Sequence, residues 1–222
     1  SAASDVYKRQ IGKLITARTT DELVENLKET EYYAPLKKIK DTDNVTLYDY
    51  NLALDLYYYT STWKEQKKIL KKSDLELFMR DRGSKIDLLN IQWIYRAKKY
   101  YNMKPADIYL MLIPIHYKLS TELVKDMVEA PGVEEFENVV IRTTYARHYN
   151  FKQNLTMEQM YADCLHHLYT ADRRKNPYSV SAINTYLFLK EEELKKLTTV
   201  MECVRYGLNP GETAAYIGGR TR

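Results

Sequence analysis

The sequence predicts an all-α protein built from tandem helical-bundle repeats of about 100 residues. Three observations predict it. Only 7 Gly and 6 Pro occur among 222 residues, so residues that break helices are scarce. Apolar residues recur at three- and four-residue steps, which is the period of a helix. Short stretches also recur in the same order, roughly 100 to 110 positions apart.

The recurring stretches divide the chain into units. The matches are Glu22-Leu23-Val24 with Glu122-Leu123-Val124, Asn44-Val45-Thr46 with Asn154-Leu155-Thr156, Tyr59-Thr60 with Tyr169-Thr170, and Asn102-Met103-Lys104-Pro105 with Leu208-Asn209-Pro210. They predict the tail of a first unit at 11–39, a complete second unit at 40–145 and a third unit at 146–222. Residues 1–10 lack the apolar centre of a signal peptide. We interpret them as translated adapter read-through, a sequencing artefact, so that the natural protein begins further upstream.

Several residues predict where helices begin. Thr19 with Glu22 fits a capping box, and Thr46 and Thr156 are candidate N-caps for the tyrosine-rich helices that follow. Asn209-Pro210 with Glu212 predicts a short last helix, after which Gly218-Gly219 releases the chain. One buried face of a central helix is predicted from five residues at helical spacing: Ile86, Leu89, Trp93, Ala97 and Tyr100.

The charge of the chain is mildly basic and unevenly distributed. The net charge is +4, but residues 64–104 carry twelve Lys or Arg against five Asp or Glu. We interpret this basic stretch first as a solvated helix face. The alternatives are a surface for phosphate groups or for an acidic protein.

Sequence motifs for catalysis or cofactor binding are absent. The chain has no P-loop, no dinucleotide fingerprint and no nucleophile elbow. Asp163, Cys164, His166 and His167 are residue types that bind zinc, but structural sites need four ligands at recognisable spacing, and His116 and His148 have no motif partners. We therefore expect a helix with a buried Cys164 and two half-exposed histidines, with no metal, no cofactor and no catalytic residue.

Polar residues interrupt the apolar central helix at Asp87, Asn90 and Arg96. Ordinary hydrogen bonding between helices is the favoured interpretation, and a polar network lining a central socket is the alternative. Two cysteines in a chain of this length make no disulfide framework, which favours a reducing compartment. No apolar run approaches 18 residues, so nothing is predicted to span a bilayer.

Three stretches resemble one family, the C subunit of prokaryotic V/A-type ATPases, which corresponds to the d subunit of eukaryotic V-ATPases. Residues 86–98 resemble its Ile-Asp-x-x-Asn-Ile…Arg-x-Lys helix, and residues 112–120 resemble its Leu-Ile-Pro-x-Gly-x-x-Leu turn, although His116 stands where Gly is usual. Residues 186–194 with 200–208 are similar to its C-terminal helix. The likeness runs from about residue 11 to residue 217.

The resemblance implies a fold and a role. Members consist of three helical units around a pseudo-threefold axis, which form a funnel on the cytoplasmic face of the membrane rotor ring. Such a subunit is peripheral, docks on the membrane sector without spanning it, and passes torque between the central-stalk subunits and the ring subunits while proton or sodium ions cross the membrane. It needs interfaces rather than catalytic side chains. The candidate interface residues are Trp93, Tyr95, Arg96, Lys98 and Lys99.

Three other functions compete with this one. A generic helical-repeat scaffold that binds a protein partner shares the helical content. A metal-dependent hydrolase would use the cluster at 163–167. Nucleic-acid binding would use the basic stretch at 64–104 and would depend strongly on salt; the resemblance implies no nucleic-acid partner.

Overall fold

The structure is a computed structural model that describes residues 11–12, 14–42, 44–146, 156–175 and 180–217. Within these ranges every long element is a helix and no strand occurs, which confirms the predicted all-α class. In chain order the helices are α1 (Thr20–Asn26), α2 (Tyr33–Lys40), α3 (Leu47–Ile69), α4 (Lys72–Tyr101), α5 (Pro105–Met111), α6 (Thr121–Glu129), α7 (Val133–Val140), α8 (Met157–Lys175), α9 (Val180–Arg205) and α10 (Pro210–Tyr216). The predicted read-through at 1–10 and the residues His148, Asn154, Leu155, Gly218 and Gly219 lie outside the described ranges.

Contacts within the chain divide the protein into two compact units. The first comprises the residues up to 68 together with 111–114, and the second comprises 69–110 together with the residues from 115 onward. In the first unit, α1, α2 and the start of α3 enclose a small core of Val24, Leu36 and Tyr50. Glu25 of α1 and Lys40 of α2 form an ion pair at 3.1 Å. Beyond Tyr50, the described residues of α3 are exposed or half-buried.

The second unit is assembled around α4. Helices α7, α8 and α9 pack against α4, α8 packs against α9, and α10 packs against the end of α9. The core includes the fully buried side chains Ile91, Ile94, Met127 and Phe136. Burying one such side chain contributes about 1.5–3 kcal/mol, so these apolar contacts hold the elements on α4.

The predicted buried face of α4 is wrong at three of its five positions. Ile86 and Ala97 are buried as expected, but Leu89 and Trp93 are half-buried and Tyr100 is 57% exposed. Because neighbours cover α4 on more than one side, its buried residues form a broad band that a single helical stripe does not describe.

Helix ends follow the local sequence closely. Asn209 and Glu212 form a complete capping box at α10, with Pro210 at the first helical position, which confirms that prediction. The Thr19 hydroxyl accepts the Glu22 amide as predicted, but the Glu22 carboxylate accepts the Arg18 amide instead of closing the box.

The two threonine caps differ in mechanism. The Thr156 hydroxyl accepts the Gln159 amide at 3.2 Å, as an N-cap does. At Thr46 only the reciprocal half of the capping box forms, because the Asp49 carboxylate accepts the Thr46 backbone amide at 2.8 Å. The Thr46 hydroxyl donates to the same oxygen at 2.7 Å instead of accepting an amide.

The order of the helices also recurs along the chain. Helices α1 to α5 begin at 20, 33, 47, 72 and 105, and α6 to α10 begin at 121, 133, 157, 180 and 210. Helices α4 and α9 are each followed by a left-handed residue, Asn102 with φ 46° and Gly207 with φ 73°. The recurrence agrees with a period of roughly 100 to 110 residues, while the three-dimensional repeat and its boundaries at 40 and 145 stay predictions.

Candidate functional site

Helix α4 carries most of the residues singled out by the sequence. It runs for 30 residues from Lys72 to Tyr101 and ends where Asn102 takes a left-handed conformation. Asp74 lies in its first turn and Lys98 and Lys99 in its last, which suits the helix dipole at both ends. The buried residues of α4 run from Asp81 to Ala97, and this packed part holds the exposed residues beside it in a fixed geometry.

Asp87 accepts four hydrogen bonds in the interior of the second unit. It is fully buried, and its Oδ1 accepts the Tyr117 amide at 3.1 Å. Its Oδ2 accepts the amides of Lys118 and Leu119 at 2.7 and 3.2 Å and the Tyr145 hydroxyl at 2.7 Å. Burial raises the pKa of the Asp87 carboxyl, and these donors oppose that rise. We call this arrangement the Asp87 hub.

The hub bears on the two interpretations of the polar residues on α4. The donors to Asp87 lie in the turn at 117–119 and in the segment after α7, so they are not the hydrogen bonds between helices that the favoured interpretation predicted. Asn90 is also fully buried, whereas Arg96 is exposed. Arg96 therefore does not share a buried polar network with Asp87.

The five candidate interface residues separate into two groups. Arg96 and Lys99 are exposed, and Trp93 is half-buried, so these three reach the surface of α4. Tyr95 is 3% exposed and contacts Phe136 with a ring separation of 6.0 Å, so it belongs to the core. Lys98 is half-buried and has a structural role.

Lys98 caps a neighbouring helix. Its ammonium donates to the carbonyl of Val128 at 2.7 Å and to that of Ala130 at 2.6 Å, at the C-terminal end of α6. The last carbonyls of a helix have no intrahelical partner, and a cation satisfies both their hydrogen bonding and the dipole. Partial burial lowers the pKa of Lys98.

Lys99 is surrounded by aromatic rings at the exposed end of α4. Its ammonium lies 4.9 Å from the ring centre of Tyr95 and 5.5 Å from that of Tyr100, and it donates a hydrogen bond to the Tyr95 hydroxyl. Tyr100 and Tyr101 are 57% and 72% exposed. Aromatic residues and Arg are enriched at protein interfaces, and an ammonium group is attracted to the face of an aromatic ring. We call Trp93, Arg96, Lys99, Tyr100 and Tyr101 the α4 patch.

The proposed zinc cluster lies on α8. Cys164 is buried, while Asp163, His166 and His167 are exposed. Across the described residues, no group of three or more His, Cys, Asp or Glu side chains is placed to hold a metal ion. The exposure of both histidines is greater than expected from the sequence.

Several features escaped the sequence analysis. Tyr145 completes the Asp87 hub from 58 positions away, and the Tyr117 ring lies directly against Gly83 of α4. No short-range pattern indicates either contact. Helix α9 also exposes an apolar stripe at helical spacing, each member more than half exposed: Ile183, Leu187, Leu194, Leu197, Met201 and Val204. Its spacing was visible in the sequence, but its exposure was not.

Comparison with known proteins identifies the family. The model of the ATP synthase (C/AC39) subunit family matches residues 4–216. The chain belongs to this family. The predicted family resemblance is thereby confirmed. Of the helices described, none is long and apolar enough to cross a membrane.

The curated relatives are all the C subunit of an A-type ATP synthase. The chain is 31% identical over 144 residues to this subunit of Methanosarcina mazei, covering 65% of this chain and 38% of the relative. It is 25% identical to that of Methanosarcina barkeri and 26% identical to that of Methanobrevibacter smithii, covering 94% and 90% of this chain and 57% and 54% of those relatives. The matched region thus spans 38% to 57% of the length of these relatives. No solved structure matches the chain.

Proposed function

We propose that this chain is a non-catalytic central-rotor subunit of a V/A-type rotary ATPase. It couples the central stalk to the ion-translocating ring and sits on the cytoplasmic face of the membrane as a peripheral component. The observation that carries the proposal is the family match over residues 4–216, together with relatives named as the C subunit of A-type ATP synthases. The coupled ion is a proton or a sodium ion.

Packing within the second unit supports the proposal. A subunit that passes on torque must resist twisting between its interfaces, and close packing with hydrogen bonds between buried groups favours that resistance. The Asp87 hub ties α4 to the turn at 117–119 and to Tyr145 through four hydrogen bonds. Lys98 ties the same helix to the end of α6.

The α4 patch is the proposed contact with another rotor subunit. Arg96 and Lys99 supply positive charge next to exposed aromatic rings, and Tyr95 and Lys98 hold the helix beneath them. The complementary partner surface is acidic, since opposite potentials favour docking across a protein interface. Aromatic and Arg side chains are the residues most often found in interface hot spots, which contribute most of the binding energy.

Co-purification tests both parts of the proposal. The full-length subunit that contains this chain is tagged and recovered from cells together with ring and stalk subunits. Double replacement Arg96→Glu and Lys99→Glu reverses the charge of the patch and is expected to lower recovery of one partner at least tenfold. The matched control Lys196→Glu, on an exposed position of α9, keeps normal recovery.

Two outcomes contradict the proposal at different levels. Failure of the unaltered subunit to recover either ring or stalk subunits contradicts the coupling function itself. Normal recovery by the double variant leaves that function standing and rejects the α4 patch as its interface.

A further inference from the structure

A lysine-rich segment lies where α3 ends and α4 begins. Residues 64–72 carry five lysines against one acid, Glu65. All five lysines are exposed, namely Lys64, Lys67, Lys68, Lys71 and Lys72. Because they lie within nine consecutive residues, the length of the chain confines them to one region of the surface. We call residues 64–72 the lysine turn.

Contacts within the chain do not neutralise the charge of the lysine turn. Among the described residues, none of its five ammonium groups forms an ion pair with a carboxylate. The Lys67 ammonium instead lies 5.7 Å from the ring centre of Trp63. Lys71 and Lys72 stand at the beginning of α4, where the helix dipole disfavours cations, so helix stability does not account for them. The positive charge is therefore available to an external anionic surface.

Apolar side chains accompany the lysines. Ile69 is 76% exposed in the middle of the lysine turn, and Trp63 and Leu70 are half-buried beside it. At the surface of a bilayer, Lys side chains stay among the headgroups while Trp and aliphatic side chains enter the boundary with the acyl chains. An anionic bilayer thus accommodates both the charged and the apolar members of the lysine turn.

The type of cation favours lipid over other anionic partners. All the cations of the lysine turn are lysines, and no arginine occurs in residues 64–72. Protein interfaces are enriched in Arg and depleted in Lys, so an acidic protein is the weaker match. A nucleic acid also attracts lysines, but its phosphate backbone offers no apolar environment for Ile69. Clusters of roughly four to eight basic residues beside a membrane are typical of binding to anionic lipid.

We propose that the lysine turn binds the surface of a bilayer that contains anionic phospholipid, with its lysines at the headgroups and Ile69 between them. Each lysine near such a surface raises the affinity about fivefold. The lysine turn stands at the beginning of α4, whereas the α4 patch lies towards the other end of that helix. The lipid contact goes beyond the proposed coupling function and does not rest on it.

Flotation with lipid vesicles measures the binding. The 222-residue chain is mixed with vesicles made of equal parts of phosphatidylglycerol and phosphatidylcholine, or of phosphatidylcholine alone. The protein that rises with the lipid through a density gradient is then quantified. Self-associated protein without lipid stays at the bottom, so self-association does not count as binding. We expect the affinity for the anionic vesicles to be at least about tenfold higher.

Two matched double variants locate the contact. Lys67→Gln with Lys68→Gln, in the last turn of α3, is expected to lower the affinity for anionic vesicles about tenfold or more. Lys37→Gln with Lys38→Gln removes the same charge from the last turn of α2 and should change the affinity by no more than about twofold. Circular dichroism checks that both variants are folded.

The other half of the lysine turn provides a second test. Lys71→Gln with Lys72→Gln should lower the affinity as much as the α3 pair does, and it decides the question if that pair does not fold. Ile69→Ser keeps the charge and should lower the affinity for anionic vesicles about threefold, while binding to DNA would be unaffected by it. In a Trp93→Phe background Trp63 is the only tryptophan, and its emission should shift to shorter wavelength with anionic vesicles.

Four results would overturn the lipid contact. These are equal affinity for the two kinds of vesicle, equal losses in the α2 and α3 variants, normal affinity in both variants of the lysine turn, and tighter binding to double-stranded DNA or polyglutamate than to anionic vesicles. The last result would assign the lysine turn to a nucleic acid or an acidic protein. Because the assay contains no ring or stalk subunit, failure to bind vesicles leaves the coupling function standing.

Discussion

Replacing Asp87 with alanine removes the acceptor of four buried hydrogen bonds at once. Three backbone amides and the Tyr145 hydroxyl would then lie in the interior without it. A buried polar group left without a partner costs about 1–3 kcal/mol, and truncating one member of a buried charged network about 3–5 kcal/mol. We expect Asp87→Ala to lower the free energy of unfolding by about 3–5 kcal/mol, since some amides regain water.

Two milder replacements make the magnitude testable. In Asp87→Asn the amide oxygen can take the place of Oδ2, which serves three donors, so that only the Tyr117 amide loses its acceptor; the expected cost is about 1–3 kcal/mol. Tyr145→Phe removes one hydrogen bond and keeps the ring, at a cost of about 1 kcal/mol. The predicted order of destabilisation is Asp87→Ala, then Asp87→Asn, then Tyr145→Phe.

Urea unfolding followed by fluorescence measures these effects in the second unit. Replacing Trp63 by Phe leaves Trp93 of α4 as the only tryptophan in the sequence, so tryptophan fluorescence then reports on α4. Asp55→Asn, at an exposed position of α3, is the control and should shift stability by no more than about 0.5 kcal/mol. An Asp87→Ala effect no larger than that control would refute the assignment of the hub as the main polar support of α4.

Four further predictions follow from individual contacts. Asp81 is 2% exposed, its Oδ2 has no hydrogen-bond partner among the described residues, and burial raises its pKa to about 6. Folding thus favours the protonated form, so the protein loses stability as pH rises from about 4 to 6. In urea titrations Asp81→Asn should abolish that loss and raise the free energy of unfolding at pH 7.5 by about 1–3 kcal/mol. Gly83→Ala places a methyl group 2.5–2.9 Å from the Tyr117 ring, so calorimetry should show net destabilisation of about 1–2 kcal/mol despite the better helix propensity of Ala, and a raised melting temperature would contradict this contact. Lys98→Met removes the cation from two carbonyls at the end of α6 and should cost about 1–3 kcal/mol, measured by urea unfolding; an unchanged midpoint would exclude the cap. The exposed stripe of α9 predicts that the isolated chain self-associates and that Leu194→Glu lowers its sedimentation coefficient towards that of a monomer, whereas a soluble monomer with a sharp reversible melt would contradict the prediction.

Local features could be predicted from the sequence because nearby residues determine them. The capping box of α10 depends on three neighbouring residues, Asn209, Pro210 and Glu212, and it forms as expected. Charge pairs on α9 are local in the same way. Lys195 lies 3.6 Å from Glu192, and Lys190 lies 2.6 Å from Glu193. Both pairs are three residues apart, and residues at that spacing are neighbours on a helix surface.

Features that join distant segments could not be predicted in this way. The donors to Asp87 come from positions 30 to 58 residues further along the chain. Tyr95 belonged to the predicted interface because aromatic residues favour interfaces, yet the ring packs on Phe136 of α7. The face that a residue presents depends on which helices cover α4, and periodicity within α4 carries no information about them.

Ion transport in reconstituted membranes tests the coupling function most directly. Vesicles containing the ATPase complex without this subunit are compared with vesicles to which the purified full-length subunit has been added, and ATP hydrolysis and ion uptake are measured together. We predict that the subunit alone hydrolyses no ATP and that its addition restores ATP-driven uptake. ATP hydrolysis by the subunit alone, or equal uptake with and without it, would contradict the account.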